Sequence, residues 1–188
     1  GQHVADLCAA PGGKTAELVA AGATVTAVDI SAARLRRVKD NLDRLQVSAN
    51  CITADVLDWL PPAPFDAVLI DAPCSATGTI RRHPDILHVR QSRGFGKLID
   101  LQRKLLDRAA TFVRPGGLLV FCTCSLEPEE GEHQISRFLE DHRDYERLPV
   151  TAAEIGGLAG AVTPDGDMRT LPCHRFPGHE NGLGLDGF

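Results

Sequence analysis

Apolar positions in this chain fall into two rhythms that take turns. Short runs, His3–Ala10 (HVADLCAA), Thr24–Asp29, Asn50–Thr53, Phe65–Asp71 and Leu118–Cys124, predict strands, the fourth apolar on both faces at its centre. Between them lie segments with helical spacing: Lys14–Ala21, a helix capped by Ser31 and running through Leu45, and Leu98–Phe112. Leu35, Val38, Leu42 and Leu45 line one face of the second of these. Gly12-Gly13, Pro61-Pro62-Ala-Pro64 and Pro115-Gly116-Gly117 are read as turns. Residues 72–96 read mainly as loop with a short helix after Pro84, and a further helix starts near Pro128 and reaches about His142. Beyond Pro149 the pattern weakens to short strand candidates near Arg169–Leu171 and at the end.

Strands alternating with helices predict an α/β fold, with a mostly parallel sheet covered by helices on both faces. Right-handed crossovers bring the C-terminal ends of all strands to one edge, where such sheets bind ligands. Cys8, Asp29, Asp55, Asp71, Cys74 and Cys124 all end or follow a strand. The polar chemistry therefore gathers at that edge.

A chain of 188 residues is long enough for one domain with a real core. Its 43% hydrophobic and 24% charged residues exclude disorder, collagen and coiled coil, and no apolar run reaches membrane-spanning length. The net charge of -5 argues against a wholly basic nucleic-acid coat protein. One stretch differs. Residues 81–104 hold seven basic side chains, Arg81, Arg82, Arg90, Arg93, Lys97, Arg103 and Lys104, against Asp85 and Asp100. This suits either a phosphate track or a solvated helix face. His83 lies in the same RRHPD stretch. The six cysteines read as the reduced thiols of a cytoplasmic protein, and without a Cys-x2-Cys pair or H-E-x-x-H no metal site is expected.

The loop Asp6-Leu-Cys-Ala-Ala-Pro-Gly-Gly-Lys-Thr15 is neither a dinucleotide fingerprint nor a P-loop. Its small residues admit a ligand close to the backbone, and the helix that follows offers N–H groups to an anion. They also suit an ordinary strand-to-helix turn. Asp29 fits a ribose diol or a helix N-terminal acid; Asp55 fits an adenine amino group or is a plain loop carboxylate. Cys74, in Asp71-Ala-Pro-Cys-Ser-Ala-Thr-Gly78, is either a buried filler or a reactive thiol. In Phe121-Cys-Thr-Cys-Ser125, Cys122 reads as core and Cys124 as opening to the edge. The acidic run Glu127–Glu132 reads as a solvated helix start.

DLCAAPGGKT, AVD, ITADV, DAPCSATGTIRRHPD and TCSLEPEEGE, in that order, closely resemble the RNA cytosine-C5 methyltransferases. The likeness is greatest to the bacterial small-subunit ribosomal RNA methyltransferase B and Sun-type family. It is strong over residues 1 to about 142 and weaker over the tail MRTLPCHRFPGHENGLGLDGF. The resemblance implies a Rossmann-like catalytic domain that binds S-adenosylmethionine and methylates C5 of cytosine in RNA, with ribosomal RNA as the expected partner.

By position, the family's cofactor site falls on Cys8, Ala9, Ala10, Pro11, Gly12, Gly13 and Lys14. Asp29 then holds the ribose, Asp55 the adenine, and Asp71 sits between cofactor and base. Cys124 is the nucleophile and Cys74 assists turnover. Burial that raised the pKa of Asp71 would let it assist at N3 of the base, and Lys14 would tune Cys124 or orient the base; an exposed first-turn lysine is the plain alternative. Arg81, Arg82 and His83 are the RNA-contact candidates. The competing readings are a catalytically weak RNA-binding or assembly module, and a methyltransferase of DNA or transfer-RNA cytosine. The family's N-terminal region and the end of its last strand are missing from the pattern, so residues 1–188 are expected to be a single catalytic domain cut from a longer protein.

Overall fold

The computed structural model of the protein describes residues 1–86, 94–178 and 184–188, which form two compact units. The first comprises Gly1–Pro73 and Leu101–Cys122, the second Cys74–Asp100 and Thr123–Phe188.

The first unit is a five-stranded parallel sheet ordered β3-β2-β1-β4-β5. In chain order its elements are β1 (His3–Leu7), α1 (Gly13–Ala20), β2 (Thr24–Asp29), α2 (Ala32–Leu45), β3 (Asn50–Thr53), β4 (Phe65–Asp71), part of α3 (Phe95–Ala110) and β5 (Val113–Cys122). The central strands carry the core: Leu7, Val28, Val68 and Ile70 are fully buried. Leu35, Val38 and Leu42 of α2 pack with Ala9, Ala10, Ala16 and Ala27, as their spacing predicts, whereas Leu45, expected on the same buried face, is 46% exposed because the helix ends there. Trp59 packs edge-on against Phe112 at 5.4 Å and lies near Phe65.

Several boundaries move, including those of the helix expected over Leu98–Phe112, which runs Phe95–Ala110. The first strand stops at Leu7 rather than Ala10, because Cys8 takes a left-handed backbone (φ 60°). The fifth strand starts at Val113 and ends at Cys122, not at Leu118 and Cys124. Pro115-Gly116-Gly117 is a bulge inside it. Phe65 pairs with Val113 and Ala67 already pairs with Leu118, and Gly116 sits at φ 72°.

The second unit holds a 3-10 turn at Thr77–Thr79, the start of α3, a second 3-10 turn at Pro128–Glu130 and α4 (Glu132–Asp141). Among the described residues the tail contains less strand than expected. Val162 and Met168 form one isolated antiparallel bridge, and Thr170 and Phe188 exchange two backbone hydrogen bonds. The short helix expected after Pro84 falls mainly on residues 87–93, outside the described residues. No described helix is long and apolar enough to cross a membrane.

Candidate active site

In the first unit the loop between β1 and α1 is shaped by its glycines. Gly12 precedes α1 at φ 99°, and a Cβ there would lie 2.8 Å from Val38 Cγ1. A Cβ on Gly13 would meet nothing within 4 Å, and the N-cap residue, Gly12, makes no side-chain cap. Space is thus open beside Gly13 at the start of α1, which suits a carboxylate.

Asp29, almost fully buried at the end of β2, accepts from Ser31 N–H at 2.9 Å and from Ala10 N–H at 3.3 Å. Its Oδ2 lies 3.6 Å from Arg34, and Ser31 also caps α2. The side chain thus anchors the helix start, as one of its two readings has it, and it also stitches the loop 8–13 to β2. Asp55, half-buried after β3, accepts from Leu57 N–H at 2.9 Å.

Lys14 reaches back to Asp71 at the end of β4, with Nζ 2.9 Å from Oδ2. Burial works against its ammonium, but the hydrogen bond to Asp71 and the nearby Cys122, Asp71 and Asp6 outweigh it and hold the Lys14 pKa above the usual range. Cys8 and Cys122 are thiols that burial disfavours as thiolates. Burial pushes each thiol up to about 12.

Sequence reasoning passed over Asp6. It is fully buried in β1, its Oδ2 accepts from the Thr15 hydroxyl at 2.5 Å, and its Oδ1 has no hydrogen-bond partner among the described residues. Burial raises its pKa to about 6, with Asp71 adding to the effect and Thr15 and Lys14 opposing it. A carboxylate inside an otherwise apolar central strand was the available signal.

The second unit brings the two candidate thiols together. Cys74 and Cys124 lie 50 residues apart in sequence, and their sulfurs are 3.4 Å apart. Cys74 is buried, 8% exposed, while Cys124 is half-buried. The hydrogen bond to Cys124, then burial, then the repulsion between two thiolates raise the Cys74 pKa well above the ordinary thiol range. Cys124 has already left β5, and its carbonyl accepts from Gly78 N–H at 3.0 Å. None of the six cysteines is in a disulfide.

The acidic run after Cys124 is only in part the solvated helix start that its sequence predicts: Glu129 is exposed and Glu132 stands in the first turn of α4. Glu130 is fully buried and accepts from Ser75 and Ser125, and Glu132 pairs with Arg169 at 2.9 Å. Long-range partners, invisible in a local pattern, override the expectation. Arg81 and Arg82 both pair with Asp186, at 3.2 and 2.5 Å. His83 is exposed beside them, while Arg90 and Arg93 lie outside the described residues. Among the described residues there is no cluster that could hold a metal ion.

Known proteins resemble this chain along its whole length. Ribosomal RNA small subunit methyltransferase B of Salmonella paratyphi B is 45% identical over 193 residues, covering 100% of this chain and 41% of that protein. The crystal structure of PH0851 is 32% identical with a TM-score of 0.79, covering 98% of this chain and 41% of that one. NSun6 from Pyrococcus horikoshii, determined with the S-adenosylmethionine analogue SFG, is 28% identical with a TM-score of 0.71 over 91% of this chain and 44% of that one. The chain thus spans about two fifths of the length of these relatives. The family described as 16S rRNA methyltransferase RsmB/F matches residues 1–185. With a five-stranded parallel sheet and a pair of thiols where the sequence motifs place them, the chain belongs to the 16S rRNA methyltransferase RsmB/F family.

Proposed function

We propose that this chain methylates C5 of a cytosine in small-subunit ribosomal RNA, in the cytoplasm, through a transient bond between Cys124 and C6 of the base. The observation that carries the reading is the 3.4 Å approach of Cys74 and Cys124. Two thiols are useful here because C5 of cytosine is a poor nucleophile and must be activated and then released.

The residues of the first unit fit S-adenosylmethionine. The uncapped start of α1 suits its carboxylate, Asp29 its ribose diol, and Asp55 its adenine amino group. Bound there, the cofactor supplies an electrophilic methyl group. The Cys124 thiolate forms a bond to C6, and the electron pair of the C5–C6 double bond becomes available at C5. The more exposed of the two sulfurs is the better placed to meet a base. After methylation, loss of the C5 proton re-forms the double bond and expels Cys124 as thiolate. The proposed task of Cys74 is to promote that release, by hydrogen bonding to the departing sulfur or by handling the proton. Lys14 fixes the carboxylate of Asp71 for the polar edge of the pyrimidine. The target cytosine must first be unstacked from its neighbours.

Transfer of tritium from methyl-labelled S-adenosylmethionine to a panel of RNAs, followed by mapping of the labelled base, tests the reading. Label is expected on a small-subunit ribosomal cytosine. RNA binding without any transfer would favour an RNA-binding or assembly module instead. Cys124→Ala is expected to abolish both transfer and any covalent complex. Cys74→Ala is expected to accumulate a protein–RNA band on a denaturing gel. A band with Cys124→Ala and none with Cys74→Ala would reverse the two roles.

A further inference from the structure

Glu130 is fully buried within the second unit, and its carboxylate accepts from Ser75 and Ser125. Ser75 N–H donates to Oε1 at 2.9 Å, and the hydroxyls of Ser75 and Ser125 donate to Oε2, each at 2.5 Å. Ser75 directly follows Cys74, and Ser125 directly follows Cys124. One side chain therefore grips two segments 50 residues apart in sequence, each a single peptide unit from a reacting sulfur. Thr77 completes the network: its Oγ1 lies 3.3 Å from Ser125 Oγ and accepts from Leu126 N–H at 2.9 Å. An acid serving only a helix start has no reason to be buried, because burying a carboxylate is costly unless donors replace water.

We propose that Glu130 is a positioning residue that sets the separation of the Cys74 and Cys124 sulfurs. Its meaning for catalysis rests on the methyl-transfer reading above; its effect on the thiols does not. A carboxylate offers only acceptors, so both serines can donate to it at once. A carboxamide replaces one acceptor by a donor, and one of the three serine groups then loses its partner. The two segments are no longer held to one point, and the sulfurs drift from a shared target. Displacements of this size weigh heavily on a reaction that needs both groups at one ring.

The test uses the chain without RNA or cofactor. Diamide, a thiol oxidant, closes a Cys74–Cys124 disulfide at a rate that reads how often the sulfurs meet, and mass spectrometry follows the loss of two hydrogens. Iodoacetamide on Cys124 reads the exposure of a single thiol. Glu130→Gln is expected to slow closure by about tenfold or more while alkylation of Cys124 changes by less than about threefold. Glu130→Asp, which keeps the carboxylate, is expected to recover part of the closure rate. Closure in Glu130→Gln within about twofold of wild type would overturn the proposal. If Glu130→Gln shows no cooperative thermal transition, Ser125→Ala, which removes one donor and keeps the carboxylate, replaces it; slowing of about threefold is expected, and an unchanged rate overturns the proposal. In the methylation assay Glu130→Gln is expected to lower kcat and leave KM for both substrates near wild type. Absence of methyl transfer by the wild type would remove the functional reading, while the closure rates would still decide the role of Glu130.

Discussion

Asp6 is a buried acid whose ionisation works against the fold. Its folded pKa of about 6 lies above the ordinary 3.8, chiefly because burial disfavours the carboxylate. The folded state therefore binds the proton more tightly than the unfolded chain. Whatever stability this group contributes is present below about pH 4 and is lost as pH rises through 6. Two pKa units correspond to about 3 kcal/mol across that window. Asp6→Asn removes the titration and can still accept from Thr15. The stability of Asp6→Asn relative to wild type is expected to rise by about 2 kcal/mol between pH 4 and pH 7, measured by urea unfolding at each pH. A constant difference across that range would mean that Asp6 stays ionised in the fold.

Adjacent glycines in one loop carry different burdens. Gly12 is confined by backbone and by packing: φ is 99°, and Val38 leaves no room for a methyl group. Gly12→Ala is expected to cost about 2 kcal/mol, seen as a lowered Tm, whatever is bound. Gly13 opens α1 with nothing near its Cβ position. Gly13→Ala is expected to leave Tm unchanged or slightly raised, since alanine favours a helix by up to about 1 kcal/mol. It narrows the space before the helix N-terminus, so calorimetry is expected to show weakened S-adenosylmethionine binding. Equal cofactor affinity in Gly13→Ala and wild type would move the proposed carboxylate site elsewhere. The pair separates a folding glycine from a binding glycine, a distinction that the string PGGK conceals.

The proposed RNA binding by a chain of net charge -5 calls for a local excess of positive charge. Residues 81–104 hold such an excess, but Arg81 and Arg82 share Asp186. Neutralising Arg81 and Arg82 together is expected to weaken RNA binding and to reduce the slope of log affinity against log salt by about 1.4 to 1.8, as two phosphate contacts are lost. Asp186→Asn is expected to act in the opposite direction, because both guanidinium groups lose a competitor for phosphate. Fluorescence anisotropy across a salt series measures both. An unchanged slope in the arginine variant would make the Asp186 pairing a matter of structure alone.

The α/β class, the order of the five strands along the chain and the buried face of α2 follow from local periodicity, because a strand or helix buried on a known face must repeat its apolar residues at a fixed interval. The ordered motifs carry the family, and with it the cysteines worth asking about. Distances in space are not written in such patterns. That Cys74 meets Cys124, that Lys14 pairs with Asp71, and that Arg169 takes Glu132 are outcomes of bringing distant segments together. Pro115-Gly116-Gly117 reads as a turn until β4 pairs across it and compresses it into a bulge. Glu130 shows the limit most clearly. In the sequence it is one acid in a hydrophilic run, and its burial is supported by two serines, one of them 55 residues away, whose hydroxyls replace water that it gives up.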